Sequence, residues 1–173
     1  MGKNLQHWIG NFLQDRKMKV YVRGSSSEWM EVTSGVPQGS VLGPLLFLIF
    51  VQDLPDWIKN SMMMFADDTK IRTAIENADD AESLEQDLNR LGEWSEKWLL
   101  KFKPTKCKVM HIGHDMPTKY TMKEGEKITE LEQTAEEKDL GVIVTSDLKF
   151  HQQCVQAAKK AQSVLGMVKG TSK

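Results

Sequence analysis

The sequence predicts an α+β fold in which an antiparallel sheet packs against helices. Three observations lead to this prediction: a long amphipathic helical pattern near the middle of the chain, several short alternating segments that flank turn residues, and a globular composition. Hydrophobic residues make up 40% of the 173 residues and charged residues 27%. This balance is typical of a folded domain and far from that of a disordered chain.

A helix and a β-hairpin are predicted in the first part of the chain. Alternating segments lie on both sides of Gly24–Ser27, which predicts a hairpin with strands at 19–23 and 29–33. Before them, apolar residues recur at helical spacing between residues 4 and 13, and Asn4 can cap that helix. These apolar residues are Leu5, Trp8, Ile9, Phe12 and Leu13.

A glycine-rich loop then leads into an apolar helix. Residues 34–40 contain two glycines and a proline, so regular structure is not expected there. Ser40 can cap the apolar run 41–50, and Pro44 lies early enough for the first helical turn to tolerate it. The run is too short to cross a bilayer and predicts a buried helix.

The middle of the chain predicts a strand, a tight turn and a second strand, followed by a long helix. The strands are 62–66 and 70–74, and Asp67 and Asp68 form the turn. In the helix, 79–98, apolar residues recur at steps of four, three and seven: Leu84, Leu88, Leu91 and Trp98. We expect the other face to be acidic, with Asp80, Glu82, Glu85, Asp87, Glu93 and Glu96.

Short strands and a final helix are predicted for the rest of the chain. One strand covers 108–113, a pair covers 120–122 and 127–129 around Glu124-Gly125, and a further strand covers 139–145. The last helix spans about 150–168, with exposed lysines on one side. No internal repeat interrupts this order.

The charge distribution limits the possible functions. The net charge is −1, but residues 61–100 carry 10 acidic and 4 basic side chains, and residues 101–173 carry 9 and 13. A generic polyanion binder would be more basic. Cys107 and Cys154 lie far apart and form no metal-binding pattern, and no secretory or membrane-spanning segment is recognisable. We therefore expect a reduced intracellular protein of the nucleus or cytoplasm, with no membrane partner.

Adjacent Asp67 and Asp68 at the end of an apolar strand allow two interpretations. The first is a solvated Asp-Asp turn. The second is a site for Mg²⁺, because two neighbouring carboxylates repel each other and hard cations prefer carboxylate and phosphate oxygens. Likewise, the loop 34–40 is either a plain connector or a place where a ligand approaches the backbone closely. His111 and His114 lack an accompanying carboxylate or cysteine cluster, so we do not expect them to bind metal.

The two motifs together, 29 residues apart from Gln38 to Asp67, resemble those of a known family. Residues 34–47, SGVPQGSVLGPLLF, are similar to motif B of reverse transcriptases from non-LTR (LINE-like) retrotransposons, and Phe65–Asp68 is similar to their motif C. Residues 98–113 resemble motif D, and residues 137–142 resemble the strand that follows it. The resemblance covers almost the whole chain and implies a reverse transcriptase palm fragment over residues 1–173.

The resemblance implies roles for individual residues. Asp67 would be a catalytic metal ligand with Asp68 as its partner, and Phe65 and Ala66 would shape the turn. Lys106 would lie near the leaving pyrophosphate, as a cation or an acid, unless it is one of several lysines on a solvated edge. The residues implied to line the path of template and nucleotide are Gly35, Pro37, Gln38 and Gly39.

The implied partners are an RNA template, a DNA primer and a deoxynucleoside triphosphate, with two Mg²⁺ ions in the full-length parent enzyme. The family also uses a third carboxylate, from a motif A strand that precedes the helix at 8–13, and we expect that strand, the fingers and most of the thumb to be absent here. The chain alone is therefore expected to be inactive. Two alternatives are a non-catalytic nucleic-acid-binding or interaction remnant of a decayed retrotransposon and a product that does not fold stably.

Overall fold

The computed structural model describes residues 2–113 and 118–170, which divide into two compact units. Unit 1 comprises residues 1–55 and 62–70, and unit 2 comprises residues 56–61 and 71–173. The helices are α1 (Lys3–Leu13), α2 (Leu42–Val51), α3 (Ala78–Trp98) and α4 (His151–Gly170), and short 3₁₀ turns lie at Leu54–Trp57 and Pro104–Lys106. No helix in these ranges is both long and apolar enough to span a bilayer.

The strands are short and pair two by two within the described residues. They are β1 (Lys17–Met18), β2 (Tyr21–Val22), β3 (Ser25–Ser26), β4 (Met30–Glu31), β5 (Ser61–Phe65), β6 (Asp68–Arg72), β7 (Lys108–Val109), β8 (Thr121–Glu124), β9 (Lys127–Glu130), β10 (Glu132–Gln133), β11 (Glu136–Asp139) and β12 (Val142–Thr145). The α+β prediction is confirmed. The strands form separate pairs instead of one sheet, and β7 pairs with β10 in parallel.

The predicted first helix and hairpin are present in unit 1. Trp8 stacks on Phe12 one turn later in α1, with ring centroids 6.2 Å apart. The hairpin is built from two nested ladders, in which β2 pairs with β3 and β1 pairs with β4. Its tight turn contains Gly24 at a φ of 88°, a backbone conformation that glycine adopts without steric cost.

Helix α2 begins and ends close to the predicted positions, but it is not a buried helix. Val51 is buried, whereas Leu45 and Leu48 are both more than half exposed. The expectation of burial rested on a sequence that is apolar on every side, and such a helix buries itself only where surrounding elements cover it. Among the described residues of unit 1, the buried apolar side chains are those of Val51 and Leu54.

Helix α3 organises unit 2. Asn77 caps it by accepting hydrogen bonds from the backbone N–H groups of Asp79 and Asp80, and the Asp80 side chain completes a capping box. Leu88, Leu91 and Trp94 are buried, and Trp94 lies 6.3 Å from the ring of Phe102. Within the described residues, unit 2 has nine buried apolar side chains: Ile58, Leu88, Leu91, Trp94, Pro104, Tyr120, Met122, Leu131 and Ile143.

The acidic face predicted for this helix is wrong at Asp87. This side chain is fully buried, and its two oxygens accept hydrogen bonds from residues 59 and 60 and from Arg90. Burial alone would raise the pKa of the Asp87 carboxyl, but these hydrogen bonds outweigh burial and hold the pKa below its ordinary value. Helical spacing predicted that Asp87 lies on the polar face. Spacing within one helix cannot show that N–H groups of a distant segment bond a buried carboxylate and compensate its charge.

The C-terminal part of unit 2 consists of two hairpins and a helix. β8 and β9 pair as predicted, with Gly125 in the turn. The single strand predicted at 139–145 is wrong: β11 pairs with β12 through a turn at Leu140 and Gly141, both at positive φ. The apolar run hid this turn because leucine seldom adopts such a conformation. Helix α4 contacts β12, where Gln153 accepts a hydrogen bond from the Ile143 N–H (2.9 Å).

Candidate active site

The two aspartates lie at the tip of the β5–β6 hairpin. Ala66 and Asp67 form the turn, and Asp68 is the first residue of β6. Ala66 has a φ of 53°, a left-handed conformation that costs an alanine about 1–2 kcal/mol relative to the right-handed one. Phe65, which precedes the turn, is 64% exposed. The predicted order of strand, turn and strand is present, but the turn lies at Ala66 and Asp67 and not at Asp67 to Thr69, so that Asp68 and Thr69 belong to β6. The short hairpin presents both carboxylates.

The Asp67 and Asp68 side chains are both exposed, so their oxygens are accessible to a cation. Carboxylate oxygens are the ligands that Mg²⁺ prefers, and in this respect the two residues fit the predicted ions. In the described ranges, however, no three His, Cys, Asp or Glu side chains lie close enough together to hold a metal ion. That Asp67 and Asp68 bind a metal ion therefore stays a prediction, which the chemistry of their donor atoms fits.

The predicted substrate-lining loop lies between β4 and α2 and needs its glycines. Gly35 and Gly39 have φ values of 76° and 77°, which side chains other than glycine adopt only with strain. Between them, Pro37 is half-buried and Gln38 is exposed. The loop therefore presents the amide side chain of Gln38 and the backbone of two glycines to solvent, and its contact with a substrate stays a prediction.

Two contacts fold this loop back onto the start of α2. The Ser40 hydroxyl donates to the Pro37 carbonyl oxygen (2.7 Å) and accepts from the Gly43 N–H (2.9 Å), so it bonds the first turn of α2. The cap position itself is Val41, one residue later than predicted, and it makes no side-chain cap bond. Gly43 is buried, and a Cβ atom there would lie 3.0 Å from the Pro37 carbonyl oxygen. The sequence shows Gly43 only as one glycine in an apolar run, and the close approach explains why it is needed.

Arg16 braces the other end of the loop and was not predicted. Its guanidinium donates to the Leu13 carbonyl oxygen (2.8 Å), at the end of α1, and to the Gly35 carbonyl oxygen (2.6 Å). One side chain thereby ties the end of a helix to the first glycine of the loop. In the sequence Arg16 is part of a basic stretch, and nothing in that stretch distinguishes it from its lysine neighbours.

Lys106 ends the 3₁₀ turn that begins at the buried Pro104. This turn contacts β8 and β9, and Lys106 is exposed. Lys108 of the same segment pairs with Glu132 (2.6 Å), whereas Lys106 forms no ion pair with any described residue. The aspartate turn and the glycine loop belong to unit 1, and Lys106 belongs to unit 2.

His111 stacks on Tyr120 with ring centroids 6.2 Å apart, and its buried Nε2 atom has no hydrogen-bond partner among the described residues. Burial of Tyr120, and then the charge of Glu85, raise the pKa of the Tyr120 hydroxyl. His114 lies outside the described residues. That neither histidine binds metal stays a prediction.

Comparison with known proteins gives one consistent result. Residues 2–167 match the reverse transcriptase (RNA-dependent DNA polymerase) family. The RNA-directed DNA polymerase from mobile element jockey of Drosophila funebris is 33% identical over an alignment of 160 residues that covers 82% of this chain and 16% of that protein. The probable RNA-directed DNA polymerase from transposon BS of Drosophila melanogaster is 36% identical over an alignment of 107 residues that covers 57% of this chain and 12% of that protein.

These relatives are much longer than the chain, which spans only 12–16% of their length. No solved structure matches the chain significantly. The predicted resemblance to a reverse transcriptase of a non-LTR, LINE-like retrotransposon is confirmed, because the family match covers nearly every residue and the relatives come from mobile elements. The chain belongs to the reverse transcriptase (RNA-dependent DNA polymerase) family.

Proposed function

We propose that the chain is the part of an RNA-directed DNA polymerase palm that carries motifs B to D. The observation that supports this most is the hairpin tip, where Asp67 and Asp68 present exposed carboxylates next to a strained Ala66. Strained backbone is concentrated at functional sites, where it orients a side chain. The substrates would be an RNA template, a DNA primer and a deoxynucleoside triphosphate.

Asp67 and Asp68 would hold Mg²⁺. Bound ions of this kind stabilise the charge on the attacking and leaving oxygens of a phosphoryl transfer. Gly35, Pro37, Gln38 and Gly39 would form the surface that the template and the incoming nucleotide follow, with Gln38 able to donate and accept hydrogen bonds. Phe65 would border the turn, and Lys106 would act near the pyrophosphate as a cation or an acid.

The isolated chain would not polymerise. Phosphoryl transfer depends on a preorganised set of charges, and the described residues offer the two adjacent aspartates without a third metal-binding side chain close to them. Activity would arise when this segment is part of a longer polymerase. This agrees with the length of the relatives, which exceed the chain several-fold.

A chimera tests the proposal directly. The segment of this chain that aligns with the jockey polymerase of Drosophila funebris, 82% of the chain, would replace the corresponding segment of that protein, and primer extension on an RNA template would be measured with Mg²⁺. We expect extension by the chimera and a loss of about 100-fold or more with Asp67→Asn, the scale on which a catalytic electrostatic group acts. Glu136→Gln, at another exposed carboxylate with an acidic neighbour, is the matched control and should leave the rate unchanged.

Unchanged extension by the Asp67→Asn chimera would contradict the proposal, as would a folded chimera that binds primer and template without extending them. Extension by the isolated chain would contradict the requirement for a longer polypeptide.

A second candidate function, non-catalytic nucleic-acid binding, is favoured only by the basic residues 101–173. Three of their lysines, Lys108, Lys119 and Lys149, are in ion pairs with carboxylates, which leaves less positive charge for phosphates. This function predicts RNA binding that weakens steeply with salt and survives Asp67→Asn. Filter binding at low and high salt distinguishes it from the polymerase, and absence of binding at low salt would exclude it.

A further inference from the structure

Asp87 is the buried charged side chain of the described residues, and its partners lie just before the hairpin that carries the aspartate pair. Its Oδ1 accepts a hydrogen bond from the Lys59 N–H (3.0 Å). Its Oδ2 accepts from the N–H and from the side-chain amide of Asn60, both at 2.8 Å. Strand β5 begins at the next residue, Ser61. The Asp87 carboxylate on α3 therefore bonds the backbone of the two residues that directly precede β5.

This arrangement fixes where the strand begins. Two carboxylate oxygens bind the N–H groups of two consecutive residues, so both bonds form only when residues 59 and 60 lie at this place on α3. A slip of one residue in a strand turns every side chain to the opposite face. At this same open end of the hairpin, the Arg72 Nε lies 3.3 Å from the Ser61 hydroxyl, which ties the last residue of β6 to the first residue of β5.

We infer that Asp87 is a positioning residue that fixes the start of β5 and thereby the orientation of Asp67 and Asp68 at its far end. The inference rests on the proposed metal-binding role of those two aspartates. Five strand residues and a two-residue turn separate Asn60 from Asp68. Because this segment is short and regular, a shift of β5 by one residue would also shift the two aspartates at the turn.

The same helix contains a matched second carboxylate with a different target. Glu85 accepts hydrogen bonds from the Thr121 N–H (3.2 Å to its Oε2) and from the Thr121 hydroxyl, at the first residue of β8. Glu85 and Asp87 thus use one chemistry to anchor two different strands to α3. Glu85 serves as a control for any general effect of removing an acid from this helix.

The test compares three variants of the full chain. Asp87→Asn removes the charge and replaces one acceptor by a donor. Asn60→Ala removes the side-chain bonds to Asp87 and to the Ser83 hydroxyl, leaves both backbone bonds to Asp87 in place, and keeps the variant series informative if Asp87→Asn does not fold. Glu85→Gln is the control. For each variant, residue-resolved hydrogen exchange is measured in β5–β6 and in β8–β9, and Mn²⁺ is titrated while the broadening of the NMR signals of residues 65–68 is followed.

We expect Asp87→Asn and Asn60→Ala to speed exchange in β5–β6 at least tenfold more than in β8–β9, and to weaken Mn²⁺ binding at the turn at least threefold. Glu85→Gln should speed hydrogen exchange more in β8–β9 than in β5–β6, and it should leave Mn²⁺ binding within twofold of the wild type. An equal change in both hairpins would overturn the inference, because Asp87 would then act as an ordinary core residue. A loosened hairpin with unchanged Mn²⁺ binding would overturn the link to the aspartates.

The two proposals fail in distinguishable ways. If the wild-type turn does not bind Mn²⁺ at all, the metal-binding role of Asp67 and Asp68 in this chain is contradicted. In that case the exchange measurements still decide whether Asp87 fixes the start of β5.

Discussion

Unit 1 carries the residues that resemble a polymerase site, whereas unit 2 carries most of the buried core. Unit 1 contains the glycine loop and the aspartate turn, and among its described residues the buried apolar side chains are Val51 and Leu54. The described part of unit 2 buries nine apolar side chains, with Pro104 counted, and the carboxylate of Asp87. Because burial of apolar surface is the main stabilising contribution in folding, the two units should differ in stability. The residues that resemble an active site thus lie in the unit that we expect to be the less stable of the two.

The largest expected effect comes from removing the centre of the unit 2 core. Trp94 is fully buried, and Trp94→Ala should lower the free energy of unfolding by about 3–5 kcal/mol. Leu48→Ala in α2 is the matched change in unit 1, and because Leu48 is 53% exposed it should cost less than about 1 kcal/mol. Urea unfolding followed by circular dichroism measures both. Equal losses would mean that unit 1 has a core of its own.

The next effect depends on pH. The hydrogen bonds to Asp87 hold the pKa of its carboxyl below the ordinary 3.8, so the unfolded chain binds a proton more readily than the folded one. The stabilisation is fully present above the ordinary value and is lost as pH falls through the folded value. Asp87→Asn should cost about 1–3 kcal/mol at pH 7, because it leaves buried donors without an acceptor.

The difference in unfolding free energy between the wild type and Asp87→Asn should therefore narrow as pH falls from 7 to 3. Urea titrations at both pH values measure it. A difference that stays constant with pH would show that the charge of Asp87 is not what stabilises unit 2.

A smaller effect is expected at the start of α3. Asn77 accepts two backbone hydrogen bonds as the helix cap, so Asn77→Ala should destabilise unit 2 by about 1 kcal/mol. Thermal unfolding of the variant measures this loss, with Asn4→Ala in α1 as a comparison. Gly2 rather than Asn4 lies at the cap position of α1, so Asn4→Ala should change stability little. Equal effects of the two substitutions would remove the distinction between the helices.

The smallest effect has the opposite sign. Ala66→Gly removes the strain of an alanine in the left-handed conformation, which should stabilise the folded state by about 1–2 kcal/mol. Glycine also has more conformational freedom in the unfolded chain, which costs about 0.5–1 kcal/mol, so the free energy of unfolding should rise slightly. Ala81→Gly, inside α3, should instead cost about 1 kcal/mol. Thermal unfolding of both variants tests this. A loss of stability with Ala66→Gly would show that the turn is not strained.

Hydrophobic spacing and turn residues predicted much of the fold. They located all four helices and the β5–β6 and β8–β9 hairpins, because those signals lie within a few consecutive residues. They missed the β11–β12 turn, where Leu140 adopts a positive φ, and the burial of Asp87, which depends on donors 27 and 28 residues away. Long-range compensation of this kind leaves no local pattern.

In the candidate site, too, sequence reasoning found the residues with a local pattern and missed those that depend on long-range contacts. Asp67, Asp68 and the glycine loop were recognised because their residue types and spacing resemble a family, and the family match confirms that resemblance. Arg16 and Gly43 were missed, since an arginine that bonds a carbonyl oxygen 19 residues away and a glycine that admits a loop backbone look ordinary in sequence. Their importance comes from contacts, which only a structure displays.

The contrast between the units is tested most directly by residue-resolved hydrogen exchange of the chain. We expect amides of α3, β8 and β9 to exchange only through global unfolding of unit 2. Amides of α2 should exchange at least about a hundredfold faster, through local opening of unit 1. Equal protection of α2 and α3 would contradict the expected difference, because unit 1 would then be as stable as the unit that holds most of the core.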